Sequence, residues 1–547
     1  MSESYVRGAD TPPLLEDTIG AALERAARTW QRRSAIIAPF QNIHWTYEEL
    51  NARADALATG FLELGLAPGD RVGIWAPNCA EWTLTQFAAA KAGIILVTIN
   101  PAYRKAELDY ALNKSGCRAL VLARAHRGVE FASMLRELVA ERKLPHLQHA
   151  MLIGKKSVEG FLAFDDIAAT KADDRVRKIG AALKPGDAIN IQFTSGTTGF
   201  HKGATLSHRN ILNNGFFVGE AIGLSPQDKL CIPVPLYHCF GMVMGNLGCL
   251  THGSAMVYPS EGFDPAAVLQ TVQDEKCTAL YGVPTMFIAE LGQSDFAKYD
   301  LSSLRTGIMA GSPCPIEVMR HVIDKMHMRE VTIAYGMTET SPVSFQSSRS
   351  DSIARRVSTV GRVLPHVEVK IVDADGNTVP RGTPGELCTR GPSVMLGYWD
   401  DEARTAEAID AGGWMHTGDI GTIDDEGYGN ITGRIKDMVI RGGENIYPRE
   451  IEEFLYRHPK VADVTVVGLP DERYGEELCA WIMLKPGQSA TAEDIKHFCD
   501  NQIARYKVPR YVRFVESFPM TVTGKVQKFR IREAMMEELG LTVQKTA

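Results

Sequence analysis

Short apolar runs rich in β-branched residues alternate with segments of helical period over most of the chain. That pattern predicts helices layered on a mostly parallel sheet. Ile19, Leu23, Ala26, Ala27 and Trp30 recur at helical spacing. Residues 71–77 (RVGIWAP) and 95–101 (ILVTINP) read as strands with a helical stretch between them, and 119–123 (ALVLA) as another strand. Further along, the period changes. Residues 366–372 (HVEVKIV) alternate strictly and run into the turn 373–377 (DADGN), which predicts half-buried antiparallel sheet. Over the last hundred residues, Pro448 opens a helix carrying Ile451, Phe454 and Leu455, and Pro459 ends it. Residues 464–468 and 480–484 read as strands, and Thr491 to Asp494 as a capped helix start. The expected fold is α/β: a large layered N-terminal domain with an antiparallel β subdomain, residues 1–436, then a small α+β domain, residues 437–547. The junction at 433–437 (GRIKD) is short, a hinge more than a tether.

Composition narrows the class. There are 59 Lys and Arg against 66 Asp and Glu, net charge −7, evenly spread, which leaves no footprint for nucleic acid. No stretch approaches the roughly 20 apolar residues of a membrane helix, and residues 92–99 (AGIILVTI) read as a buried strand. The ten cysteines are scattered without a CxxC pair, as expected of small buried hydrophobes in a reducing compartment. Glu3, Asp10, Glu16 and Asp17 precede any apolar run, which is wrong for a targeting peptide, so a cytoplasmic location is expected.

The densest chemistry lies in residues 193–203, FTSGTTGFHKG. Glycines let backbone N–H groups turn toward an anion, hydroxyls add donors and Lys202 adds charge, so the run reads as a phosphate cradle. It lacks the GxxxxGK[ST] pattern of a Walker A loop, and no GxGxxG follows a strand.

TSGTTGxxKG resembles the phosphate loop of the adenylate-forming superfamily, which includes acyl-CoA synthetases, nonribosomal adenylation domains and beetle luciferases. Four more elements follow in the family's order: Tyr335-Gly336-Met337-Thr338-Glu339, Thr417-Gly418-Asp419, Gly433-Arg434-Ile435-Lys436-Asp437 and Thr523-Gly524-Lys525. Such enzymes activate a carboxylate by attack on the α-phosphate of ATP, releasing pyrophosphate and leaving an acyl-adenylate. The resemblance assigns the β- and γ-phosphates to Thr194, Ser195, Gly196, Thr197, Thr198, Gly199 and Lys202. It assigns Mg²⁺ to Glu339, and donation to the α-phosphate to Thr338. Adenine falls to Tyr335, Gly336, Gly311 and Ser312, and ribose to Asp419 and Arg434. Lys525 would bridge substrate carboxylate and phosphate oxygens, a task suited to a compact ammonium.

For the second half-reaction, the resemblance implies that the small domain is mobile. It would rotate about Lys436, withdraw Lys525 and bring Gly442 and Gly443 to the channel of coenzyme A. His238 matches the family's aromatic gate, and Phe240, Met242, Tyr281 and Gly282 join it in lining the acyl pocket. No Lys or Arg lies between Tyr237 and Asn246, which favours an apolar monocarboxylic acid. Residues 99–104 and the C-terminal segment look most like medium-chain fatty acyl-CoA synthetases. One departure is His201, where the family commonly has Pro; its N–H is restored and φ is freer.

The expected activity is an AMP-forming acyl-CoA ligase using ATP, Mg²⁺ and coenzyme A. Alternatives are a stand-alone loader of a carrier protein, a luciferase-like oxygenase and a non-catalytic binder; the last would have lost Lys525 or Glu339, and both are present. Protein partners allowed for are a second copy of the chain, as a homodimer, and an acetyltransferase acting on Lys525, whose flanking residues resemble an acetylation pattern.

Overall fold

The computed structural model describes residues 2–154, 158–194, 201–312, 314–441, 444–471, 473–499, 502–520 and 525–541. The chain forms two compact units. The larger comprises Val6–Val369 and Thr389–His416, and the smaller Met1–Tyr5, Lys370–Cys388 and Thr417–Ala547.

The larger unit is built on two sheets. The first runs in the order Leu162–Ala163, His149–Leu152, Ala119–Leu122, Arg71–Trp75, Ile95–Thr98, Ala188–Thr194, Lys202–Ser207 and Gly397–Tyr398. Its middle strands are parallel, and Ile95–Thr98 and Ala119–Leu122 are buried at every position. Cover on both faces is why these strands read as continuous apolar runs. Val97, Leu120, Leu122 and Ile191 share one core cluster with Trp75 and Phe131, whose rings stack at 3.9 Å. Each such side chain contributes about 1.5–3 kcal/mol by leaving water.

Within this unit the second sheet runs Gly361–Val363, Val343–Gln346, Glu330–Gly336, Thr306–Ala310, Ala279–Gly282, Lys229–Cys231, Ala255–Val257, Ser34–Ala38 and Ile43–Thr46. Ala279–Gly282, Thr306–Ala310 and Glu330–Gly336 are parallel neighbours. Leu280, Met309 and Val331 from these strands form a core with Val268 and Leu269 of helix Pro265–Glu275, Phe287 of helix Pro284–Leu291, and Met319 and Val322 of helix Ile316–Lys325.

Strands Glu368–Val372, Gly385–Arg390, Met415–Ile423 and Tyr428–Arg434, most of whose residues belong to the smaller unit, are successive neighbours. The strict alternation expected at 366–372 appears as an alternation of buried and half-buried positions. A second sheet orders Glu444–Ile446, Val439–Arg441, Gly475–Leu484 and Val461–Asp471, with Tyr511–Phe514 also beside Gly475–Leu484. Helix Pro448–Leu455 starts at its proline and buries Ile451 and Leu455 against Val464, Val466, Leu478 and Ile482. Thr491 and Asp494 exchange the two bonds of a capping box, at 2.9 and 3.2 Å, before helix Ala492–Cys499. Lys436 lies in a 3₁₀ turn, Ile435–Asp437.

All ten cysteines are free thiols; nine are buried and Cys314 is half-buried. Among the described residues, no helix is long and apolar enough to cross a membrane.

Candidate active site

Strands Ala188–Thr194 and Lys202–Ser207 are antiparallel, and their register sets Thr194 opposite Lys202. The ends of the expected phosphate cradle therefore meet. Ser195, Gly196, Thr197, Thr198 and Gly199 lie outside the described residues. The Lys202 strand passes directly into helix His208–Ile222 through a reciprocal cap, the Ser207 N–H donating to Asn210 Oδ1 at 2.8 Å and the Asn210 N–H to Ser207 Oγ at 3.1 Å. His201 takes no liberty from its missing proline. Its carbonyl accepts from the Tyr110 hydroxyl at 2.9 Å, and its ring lies 5.2 Å from that of Tyr103. Its Nδ1 is buried without a hydrogen-bond partner.

Strand Glu330–Gly336 leads into the 3₁₀ turn Thr338–Thr340, which carries Glu339. This side chain is 6% exposed. Its Oε1 accepts from the Tyr398 hydroxyl at 3.0 Å and from Thr194 Oγ1 at 3.3 Å. Among the described residues no Lys, Arg or His pairs with this carboxylate. Two neutral hydroxyls do not balance a buried charge. A hard cation such as Mg²⁺, held by one carboxylate and by phosphate oxygens, fits that donor set. Tyr398 has a second neighbour: the Lys202 ammonium lies 4.7 Å from the centroid of its ring. Burial first, and then the Glu339 charge, push the Tyr398 hydroxyl far above its ordinary pKa, so it remains a donor.

Thr338 hydrogen-bonds the Cys239 sulfur, and the Cys239 thiol donates its proton to Gln192 Oε1 at 3.1 Å. Burial pushes that thiol up to about 12, so it is a neutral link in the chain of donors. Tyr335 is half-buried, with its ring 6.4 Å from Phe345. Gly336 allows the close backbone approach its type is needed for, since a Cβ there would sit 1.8 Å from the Pro342 carbonyl oxygen. Gly311, at φ +92°, and Ser312 are exposed.

His238 is half-buried in a turn, its N–H donating to the Pro235 carbonyl. Phe240–Leu247 after it is a π-helix, a form the apolar pattern did not announce. Tyr281 locks this element from two sides: its ring is 5.2 Å from Phe240 and its hydroxyl donates to the Met244 carbonyl at 3.2 Å. The Gln86 amide donates to the Met242 carbonyl at 3.2 Å. Gly282 leaves room for the Phe287 ring, which a Cβ would meet at 2.8 Å. Phe240, Met242, Tyr281 and Gly282 are thus brought to one place, beside His238.

In the smaller unit, Asp419 and Arg434 are cross-strand partners. The Arg434 Nε donates to the buried Asp419 carboxylate at 2.9 Å. Lys436 and Lys525 are exposed. Gly442 and Gly443 lie outside the described residues, but Arg441 beside them is fixed: its guanidinium forks onto Glu477 at 2.7 and 2.8 Å. Glu477 is 2% exposed, and this pairing holds Arg441 above its usual pKa. Sequence reasoning missed Tyr398, the Gln192–Cys239 link, the tyrosines around His201 and the Arg441–Glu477 pair. None belongs to a local pattern; each arises from strands or loops far apart in the chain.

Within the larger unit, the Lys202 strand and the buried Glu339 carboxylate offer a cation and an oriented acid to an anionic ligand and its metal. The family model described as AMP-binding enzyme matches residues 23–399, and that of the AMP-binding enzyme C-terminal domain matches residues 450–525. The chain belongs to the AMP-binding enzyme family, in its acyl-CoA synthetase branch. It is 49% identical over 544 residues to "Putative acyl-CoA synthetase YngI" of Bacillus subtilis (strain 168), spanning 97% of this chain and 99% of that protein. It is 46% identical over 557 residues to the mitochondrial medium-chain acyl-CoA ligase ACSF2 of Danio rerio, spanning 99% and 92%. Among solved structures, the anthranilate CoA ligase AuaEII in complex with anthranoyl-AMP superposes with a TM-score of 0.86 at 28% identity, covering 96% of this chain and 99% of that one.

Proposed function

We propose that this chain activates an apolar, medium-chain monocarboxylic acid with ATP, as an acyl-adenylate, and passes the acyl group to the thiol of coenzyme A, releasing AMP. The observation that carries the reading is the buried Glu339 carboxylate, which two hydroxyls orient and no described cation neutralises, beside the Lys202 strand. Glu339 would hold Mg²⁺, which when bound neutralises phosphate charge. Thr194, Ser195, Gly196, Thr197, Thr198, Gly199 and Lys202 would cradle the leaving pyrophosphate. Thr338 would donate to the α-phosphate, turning its hydroxyl from the Cys239 sulfur to do so. Gly311, Ser312, Tyr335 and Gly336 would hold adenine. Asp419 would accept from ribose hydroxyls, and Arg434 would turn from Asp419 toward the same ring.

Lys525 would pair the two anions that must approach each other. For thioester formation that ammonium would leave; the family resemblance supports a hinge at Lys436 and a domain boundary at 436–437, with Gly442 and Gly443 admitting the thiol arm. Apolar side chains around His238 support an apolar acid, and the resemblance to ACSF2 supports medium length. A cytoplasmic site of action, a homodimer and control by acetylation of Lys525 complete the reading.

The test is mass-spectrometric detection of acyl-CoA from Mg-ATP, coenzyme A and a panel of straight, branched and aromatic acids, with pyrophosphate followed with and without coenzyme A. Acyl-CoA and AMP are expected, with a maximum among C6–C12 straight acids. Pyrophosphate without acyl-CoA would transfer the acceptor role to a carrier protein, and a maximum for an aromatic acid would overturn the medium-chain assignment.

A further inference from the structure

Tyr398 lies outside the five elements named from the sequence, yet it touches both Glu339 and Lys202. Its hydroxyl donates to Glu339 at 3.0 Å, and its ring lies 4.7 Å below the Lys202 ammonium. It is 7% exposed. The segment carrying it is stitched to the same frame at every step. Asn210 Nδ2 donates to the Pro392 and Val394 carbonyls, and the Met395 N–H to the Glu339 carbonyl at 2.9 Å. The Leu396 and Trp399 N–H groups bond the Thr205 and Gly203 carbonyls of the Lys202 strand, at 2.9 and 2.7 Å. The Tyr398 N–H donates to Thr405 Oγ1 at 2.9 Å.

We propose that Tyr398 is a positioning residue for the adenylation half-reaction, holding the Glu339 carboxylate ready for a divalent cation while its ring gives the Lys202 ammonium a resting place until phosphate arrives. The inference rests on the proposed function. Its physical basis is a division of labour within one side chain. A free Lys202 close to Glu339 would form an ion pair and remove both groups from use. A ring face offers the ammonium an attraction that phosphate oxygens readily exceed. The hydroxyl meanwhile joins Thr194 Oγ1 on Glu339 Oε1 and leaves Oε2 for metal.

Tyr398→Phe keeps the ring and removes the hydroxyl, while Tyr398→Leu removes both. Binding of ATP would be measured calorimetrically, with Mg²⁺ and in EDTA, alongside the Mg²⁺ dependence of pyrophosphate release. Conversion of synthetic octanoyl-adenylate and coenzyme A to thioester would serve as the second half-reaction. For Tyr398→Phe we expect the half-saturating Mg²⁺ concentration to rise about tenfold, the effect of one hydrogen bond to a charged group. ATP binding in EDTA and thioester formation from the adenylate should stay within twofold of wild type. Tyr398→Leu should in addition weaken ATP binding in EDTA.

An unchanged Mg²⁺ dependence in Tyr398→Phe would overturn the role of the hydroxyl. A parallel fall of both half-reactions, in either variant, would show a general loss of structure and overturn the proposal as well. Failure of the wild-type protein to bind ATP at all would instead overturn the proposed function from which it starts.

Discussion

Two buried glutamates in the larger unit show what distinguishes a reactive carboxylate from a dormant one. Glu339 receives two hydroxyls and lies next to the cradle strand. Glu290, on helix Pro284–Leu291, is fully buried, and among the described residues neither of its carboxylate oxygens has a hydrogen-bond partner. Burial alone pushes Glu290 well above the carboxylate range, which favours its neutral form. Burial is common to both; donors aimed at the oxygens are not. In the smaller unit Glu477 gives a third solution, an equally buried charge answered by the Arg441 fork. An aimed carboxylate that no described cation pairs, a carboxyl group that burial keeps toward its neutral form and a closed ion pair are three ways to place the same side chain out of water.

The comparison breaks first at Glu339. Glu339→Gln should lower pyrophosphate release on the order of 100-fold or more while leaving the apparent melting temperature near that of wild type. A fall in stability of the same size as the fall in rate would make Glu339 a structural residue.

Glu477→Gln should do the reverse. It leaves the Arg441 guanidinium with half a partner and should cost about 3 kcal/mol of stability, read from denaturant unfolding followed in the smaller unit. Adenylation should be far less affected than thioester formation, because Arg441 adjoins the glycines assigned to the thiol arm.

Glu290→Gln is the gentlest of the three and the most diagnostic of pH. The pKa of Glu290 is raised in the fold, so its contribution to stability is complete below the unfolded value near 4.5 and fades as pH climbs. The variant escapes that loss. Its apparent melting temperature should match wild type at pH 5 and exceed it at pH 8 by about 1–3 °C, with unchanged activity. A variant less stable than wild type at pH 8 would mean that Glu290 is ionised.

The smallest effect is expected at His201, a half-buried residue whose Nδ1 has no hydrogen-bond partner among the described residues. His201→Pro retains the carbonyl that Tyr110 grips and loses the backbone N–H and the contact with Tyr103. kcat/KM for ATP should change by less than about threefold.

The fold was legible wherever local pattern and final burial agree. The parallel strands announced themselves as apolar runs, and helix Pro448–Leu455 by its proline and its Ile451 and Leu455 spacing. Asp419 and Arg434 were named from separate motifs, and the hairpin of strands Met415–Ile423 and Tyr428–Arg434 joins them. Tyr398 was not legible, because its chemistry depends on a strand nearly two hundred residues away in sequence. Glu290 was not legible either: a glutamate on a short helix reads as solvated, and only tertiary packing closes over it. The π-helix escaped because a widened turn leaves the apolar pattern of Phe240–Leu247 unchanged.

The thiols described earlier supply a tool. Cys314 follows Gly311 and Ser312 by a few residues and is the one cysteine of ten with appreciable exposure. Under native conditions a maleimide dye should therefore attach at a single place, beside the loop assigned to adenine, with no engineered cysteine. The unfolded chain should then titrate with nine further thiols. A fluorophore there would report nucleotide arrival in real time, and protection of that thiol by AMP would map the base-binding loop by chemistry alone.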